Sequence, residues 1–304
     1  MALIYGRVKL QESLGASATT FSENINFSFI ANAMHLDLYA YKESATAATI
    51  QNLVDKISQV RVSTQNGDPE STIDGDDLYE FPKYALDNVN PYHTPLSGTD
   101  NKPHFAGILY PFNPFPQNSL AQYGLPSGKG VQFLYDSAAD VSGDFDGFTT
   151  DLIVEGVDVG DKDTQGYIKF QRDAHTFSAV GENRDTLVNG NRLLGVYNHM
   201  TTSYADLAAD AAFDVIGIRE QQIMKSQNSV LRYKPSQVWA TKKQAENSTT
   251  SAEADVLDSG RFFKDLGIQQ IPQGINIRNQ GQVEIRTTAG VAEATRIMPV
   301  LLVN

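Results

Sequence analysis

The chain has 304 residues, 41% hydrophobic and 20% charged, the profile of a soluble globular protein with length for about two domains at roughly 100–200 residues each. Its 36 acidic and 24 basic residues give a formal charge of −12, which repels phosphate backbones and disfavours direct nucleic-acid binding unless basic residues cluster; the densest cluster is only Lys242-Lys243. Cysteine is absent, excluding disulfides, thiolate metal sites and cysteine nucleophiles, and no stretch approaches the ~18 apolar residues of a membrane span.

Residues 1–20 open with Leu3, Ile4 and Tyr5, lack the apolar core and cleavage site of a signal peptide, and continue as a polar run. They read as an edge strand or as an arm that orders on a partner, and are assigned as an N-terminal arm. Phe21–Ile30 alternates through Ile25, Phe27 and Phe29, and Leu36, Leu38 and Ala40 continue a half-buried strand pattern. Ile50, Leu53, Val54 and Ile57 fall at helical spacing within Ser44–Ile57. After the strand Ile57–Thr64 comes a turn, Asn66-Gly67-Asp68-Pro69, and Asp74 is placed to cap a helix that buries Leu78 and Phe81 and that Pro82 ends or kinks. Residues 87–104 and 111–128 are loops rich in proline, asparagine and aromatics around a strand, Phe105–Tyr110. Val131, Phe133 and Tyr135 alternate again, Asp136–Thr150 is a glycine- and aspartate-rich loop, and Leu152–Val159 is an apolar strand.

Beyond a link at residues 160–175 the chain repeats itself. The offset of 158 that carries Leu36 onto Leu194 also carries Leu38 onto Val196, Tyr39 onto Tyr197, Val60-Arg61 onto Ile218-Arg219, and Phe81 onto the single tryptophan, Trp239. The match is imperfect, with Leu53 on Ala211, Val62 on Glu220 and Leu78 on Ser236. Val283–Thr287 answers Val131–Tyr135, and Ile297–Val303 reads as a strand covered on both faces, with Pro299 favouring an edge or a start just after it. Phe81, Trp239, Leu38 and Val196 are therefore predicted core anchors at equivalent points of two domains. The fold expected is all-β: two tandem β-sandwiches with short helical inserts, whose long loops suit jelly rolls better than immunoglobulin-like sandwiches. The domains expected are an arm (1–20), a first jelly roll (21–160), a linker (161–175) and a second jelly roll (176–304).

Chemistry is sparse. The five histidines share no local metal-ligand spacing, and no Gly-x-Ser-x-Gly elbow occurs, so no enzymatic activity is expected. Of three acidic clusters, none fits an EF-hand; a helix cap for the first and solvated turns for the others are the favoured readings, and Asp140, Asp144 and Asp146 form the best of the candidates for a structural Ca2+ site. No other cofactor is expected. Tyr92, Phe112, Phe115 and Tyr123 sit in the proline-rich loops, where they either anchor the loops as small cores or form contact surfaces; they are the candidate interface residues. Aromatics beside carboxylates (Tyr135 and Asp136, Phe145 and Asp146) also suit an alternative, a carbohydrate-binding or glycan-degrading tandem sandwich.

The segments Ala33–Tyr41, Ile57–Thr64 and Asn66–Phe81, echoed by Arg192–His199, Phe213–Glu220 and Leu231–Trp239, together with the closing strands, resemble the double jelly-roll major capsid proteins of tailless icosahedral viruses of bacteria and archaea that carry an internal membrane. The resemblance is architectural and spans nearly the whole chain. It implies a virion structural protein, made in the host cytoplasm, that assembles as pseudo-hexagonal homotrimers into an icosahedral shell. Its implied partners are neighbouring capsomers and minor capsid proteins, with the N-terminal arm near the internal membrane and no direct contact with nucleic acid. It brings no catalytic site.

Overall fold

The computed structural model of the chain describes residues 2–13, 17–42, 50–64, 71–86, 103–114, 123–137, 145–158, 163–171, 173–176, 181–187, 192–200, 218–234, 261–268, 274–278, 282–290 and 292–303. The chain divides into two compact units, one of residues 1–169 with 303–304 and one of residues 170–302.

In the first unit the described elements are β1 (Ala2–Ser13), β2 (Thr19–Asn26), β3 (Ile30–Lys42), α1 (Ile50–Val54), β4 (Ile57–Thr64), β5 (Ser71–Asp74), α2 (Gly75–Ala85), β6 (Pro103–Pro111), β7 (Gly130–Ser137) and β8 (Phe145–Asp158). They build two antiparallel sheets ordered β1-β8-β3-β6 and β2-β7-β4-β5. First strand lies beside eighth, second beside seventh, third beside sixth and fourth beside fifth, which is the winding of a jelly roll. The period-2 pattern makes the sandwich: β3 buries Leu36, Leu38 and Ala40, and β7 buries Val131, Phe133 and Tyr135, while their alternate residues stay partly exposed. Two buried hydroxyl contacts bridge the sheets. Tyr110 donates to Ser71 Oγ at 2.8 Å, and Tyr135 OH lies 2.7 Å from Thr150 Oγ1. Helix α2 packs on α1, β4, β5 and β6 and buries Leu78, Phe81 and Tyr84.

A short strand, β9 (Tyr167–Phe170), leads to the second unit, formed by β10 (Asp173–Thr176), β11 (Glu182–Thr186), β12 (Arg192–Met200), β13 (Ile218–Lys225), β14 (Asn228–Tyr233), β15 (Arg261–Asp265), β16 (Ile275–Asn276), β17 (Val283–Ala289) and β18 (Ala294–Val303). With β16 set aside as a two-residue addition beside β12, eight strands among the described residues wind as before, in sheets β10-β18-β12-β15 and β11-β17-β13-β14. Here a buried polar network joins the sheets. Gln221 Nε2 donates to Asn198 Oδ1 at 2.8 Å and to Thr287 Oγ1 at 3.1 Å, and Tyr233 donates to Gln221 Oε1 at 2.8 Å.

The repeat holds at the level of register. Tyr39 on β3 faces Phe105 on β6, and Asp37 faces Gly107; moved by 158, the same positions are Tyr197 facing Phe263 and Gly195 facing Asp265. Leu38 and Val196 thus lie on the third strand of each unit and are both buried, and Val60 and Ile218 lie on the fourth. Phe81 is buried in α2, whereas Trp239 lies outside the described residues. Gly195 is fixed by close approach: a Cβ there would fall 2.1 Å from Phe263 Cζ and 2.9 Å from the Lys264 carbonyl oxygen. Gly195→Ala is expected to push the ring aside and cost about 1–3 kcal/mol by overpacking. The check is a denaturant titration of the whole chain, and an unchanged midpoint would mean the ring does not lie over the glycine.

Several local expectations change. Ala2–Ser13 is an edge strand paired along β8 from Ala2–Asp158 to Ser13–Thr149, so the segment assigned as an arm completes the first sheet. The linker shrinks, because β10 already pairs with β18 at Asp173–Ile297. Among the described residues, the helix expected over Ser44–Ile57 is α1, Ile50–Val54, and Ile57 starts β4 instead. Asp74 occupies the N-cap position but its side chain makes no capping hydrogen bond. Pro82 does not end α2, which runs to Ala85 with the Leu86 N–H donating to the Pro82 carbonyl at 3.0 Å; burial of most of the helix surface outweighs the one hydrogen bond a proline removes. Pro299 lies inside β18, a central strand. Its carbonyl points away from β12 and accepts the Gln171 N–H at 3.1 Å, so its ring nitrogen also faces away from β12, beyond the β10 ladder that stops at Ile297.

Candidate functional site

Two of the loop aromatics are pins. Phe112 is 1% exposed and Tyr123 7% exposed, too buried in the unit to be contact surfaces. Phe112 packs its ring on Tyr110 (5.2 Å between centroids) and Phe27 (6.5 Å), and its backbone is held on both sides: its N–H donates to the Asn32 carbonyl and its carbonyl accepts the Ile168 N–H, each at 2.8 Å. Asn113 Nδ2 donates to Asn32 Oδ1 and to the Tyr123 carbonyl, both at 3.2 Å. Gly124 follows at φ 124°, open to glycine and strained for other residues, with its N–H donating to the Gly166 carbonyl at 3.0 Å. The described ends of the 111–128 segment, Phe112–Asn113 and Tyr123–Gly124, are therefore tied into the first unit by a small aromatic and amide core.

The outer face of sheet β1-β8-β3-β6 is different. His35, Tyr39 and Tyr41 on β3 alternate outward, with Leu109 and Phe105 opposite them on β6 and Ile153 and Thr149 on β8. Tyr41 is 50% exposed, one of two large hydrophobic side chains so open among the described residues; the other is Val230 on β14. Tyr39 and Phe105 rings lie 5.1 Å apart, and His35 Nε2 lies 3.1 Å from Glu155 Oε2. This half-exposed aromatic and aliphatic face suits a protein contact. The outer face of β2-β7-β4-β5 is polar, with Arg61 binding Asp136 through 2.8 Å contacts to both carboxylate oxygens and Thr20 donating to Asp136 Oδ1.

In the second unit the outer face of β11-β17-β13 carries a charged ladder. Register places Arg184 opposite Arg286 and Arg286 opposite Gln222; the next row is Thr186, Glu284 and Met224. Beside it lies a groove of about 620 Å³, with the two arginines at one end, Glu284 and Met224 along it, and Ser226, Gln227 and Gln282 at the hairpin end. The hairpin turn holds Ser226 and Gln227 at φ 47° and 72°, and the Ser226 N–H donates to the Gln282 carbonyl at 3.1 Å. The signal missed in the sequence is a pair of Glu-x-Arg triplets, Glu182-Asn183-Arg184 and Glu284-Ile285-Arg286, which on strands put both members on one face.

No protein-family model and no curated protein sequence matches the chain. Solved structures do. The chain is similar to the major capsid protein of STIV, Sulfolobus turreted icosahedral virus, at 10% identity and a TM-score of 0.63, over 100% of this chain and 97% of that one. It is similar to the major capsid protein P2 of bacteriophage PM2 at 9% identity and a TM-score of 0.62, over 100% and 98%. The capsid of PBCV-1 gives 8% identity and a TM-score of 0.63, over 99% and 93%. The fold is the double jelly roll.

Within the double jelly roll the remaining sequence-predicted residues are placed as follows. Tyr92, Phe115, Asp140 and Asp144 lie outside the described residues, and Asp146 is on β8 at the register position opposite Tyr41. The aromatic–carboxylate pairs behind the glycan alternative do not form platforms in the first roll: Tyr135 is buried against Phe21, with rings stacked 4.8 Å apart, while Asp136 points to the other face, and Phe145 is 2% exposed. Burial raises the Tyr79, Tyr110 and Tyr233 phenols well above their ordinary range, so they stay neutral, and Tyr110 and Tyr233 serve as hydrogen-bond donors. No helix among the described residues is long and apolar enough to cross a membrane.

Proposed function

We propose that the chain is a non-enzymatic major capsid subunit that assembles as homotrimers into the icosahedral shell of a virion. The observation that carries this reading is the doubled winding: two jelly rolls in one chain, each with the same sheet order and with matching β3·β6 and β12·β15 registers. Three copies related by a closed three-fold present six similar lobes, and a six-lobed unit tiles a surface with one protein where a single roll would need six chains. Whole-length likeness to viral capsid proteins supports it.

The half-exposed face around Tyr39, Tyr41, Phe105 and Leu109 is the contact surface this reading favours, against a second copy or a neighbouring capsomer. Further partners are minor capsid proteins and, on the inner side of the shell, an internal membrane; the charge of −12 disfavours direct contact with nucleic acid. Synthesis in the host cytoplasm fits a chain without cysteine. Light scattering on the purified full chain tests the oligomer: a trimer of 33.3 kDa chains has a mass of about 100 kDa, and a mass that stays at 33.3 kDa at every concentration contradicts the proposal.

A further inference from the structure

We propose that the groove on the outer face of the second jelly roll binds an acidic saccharide, a pyranose carrying a carboxylate. Arg184 and Arg286 are directly opposed on β11 and β17, a like-charge pairing that Glu182 and Glu284 offset from the sides. Each uses only its Nε to meet the glutamate two residues earlier, Arg184 to Glu182 at 3.0 Å and Arg286 to Glu284 at 3.3 Å. Among the described residues their terminal guanidinium nitrogens have no partner, so two planar donor forks, pre-aligned by the glutamates, are left at one end of the groove.

The charge around the forks selects the ligand. Glu182 and Glu284 offset both arginines, so a polyanion such as nucleic acid or a phosphate ester meets repulsion beside the attraction. A single carboxylate can use the forks without stacking a second negative charge against the glutamates. The rest of the groove suits hydroxyl groups: Gln227 and Gln282 offer amide donors and acceptors, Glu284 is an acceptor, and Met224, 6% exposed, adds an apolar side chain to the lining. Gln282 is held in place by donating to Thr186 Oγ1 at 3.2 Å, and its carbonyl fixes the hairpin through Ser226. At about 620 Å³ the groove lies within the roughly 300–1,000 Å³ of small-molecule sites. The site lies wholly in the second unit and does not depend on the capsid reading.

The experiment is calorimetric and saturation-transfer NMR titration of the full chain with sialyllactose, lactose and sodium sulfate. Sialyllactose is expected to bind with its acidic ring showing the strongest saturation, and lactose is expected to show no binding. Arg286→Ala and Arg184→Gln are each expected to weaken sialyllactose by about tenfold or more, the loss of a charge-assisted contact. Arg184 is 58% exposed, so Arg184→Gln is expected to keep the melting temperature of the parent and to carry the test if Arg286→Ala folds poorly. Equal binding of lactose, unchanged affinity in Arg184→Gln, or sulfate binding as tightly as sialyllactose would each overturn the proposal, the last by reducing the site to a simple anion contact.

Discussion

Gln221→Ala is expected to destabilise the chain by about 3–4 kcal/mol, one of the two largest single-residue effects. Gln221 is fully buried on β13 and is the hub of a network that reaches both sheets of the second roll: Asn198 on β12, Thr287 on β17 and Tyr233 on β14. Truncation leaves the Tyr233 hydroxyl without its acceptor and Asn198 Oδ1 without its donor in a water-poor interior, and opens a cavity beside them. Each orphaned group costs about 1–3 kcal/mol, more than the hydrogen bond contributed when made, because nothing replaces the lost solvation. Tyr233→Phe removes one partner only and is expected to cost about 1–2 kcal/mol. Urea titrations of the two variants check the ordering, and a loss below about 1 kcal/mol for Gln221→Ala would show that water already satisfies the network.

Phe81→Ala is the companion prediction in the first roll, with an expected loss of about 3–5 kcal/mol. The ring is 0% exposed on α2, the helix that packs on β4, β5 and β6. Its neighbours on the helix, Leu78 and Tyr84, are also buried, so the site has little room to collapse onto the void. Phe81→Leu retains most of the apolar volume and is expected to lose clearly less. Equal stability of Phe81→Ala and the parent in the same urea assay would contradict the placement of the helix against the sheet.

The contrast between these two residues shows what the sequence could and could not disclose. Phe81 follows a plausible cap and lies three residues from Leu78, a local pattern visible without a structure. Gln221 lies in Ile218–Lys225, a strand rich in polar side chains, and its burial depends on partners 12, 23 and 66 residues away. The strands with clear alternation, β3 and β7, were legible for the same local reason. Strands β10 and β11 were not: Asp-Ala-His-Thr and Glu-Asn-Arg-Asp-Thr have no apolar period, and pairing with β18 and β17 makes them strands. The N-terminal segment shows the same limit, since only register against β8 distinguishes an edge strand from an arm. Phe112 and Tyr123 shared the composition of a contact surface, and their burial is a product of the Asn32 and Asn113 contacts that cross the loops.

The central claim, that two equivalent rolls in one chain exist to make a six-lobed trimer, is tested most directly by negative-stain imaging of the purified full chain. Class averages are predicted to show a closed three-fold particle with six similar lobes around its rim. Isolated two-lobed particles at every concentration, or a two-fold dimer in their place, would contradict it.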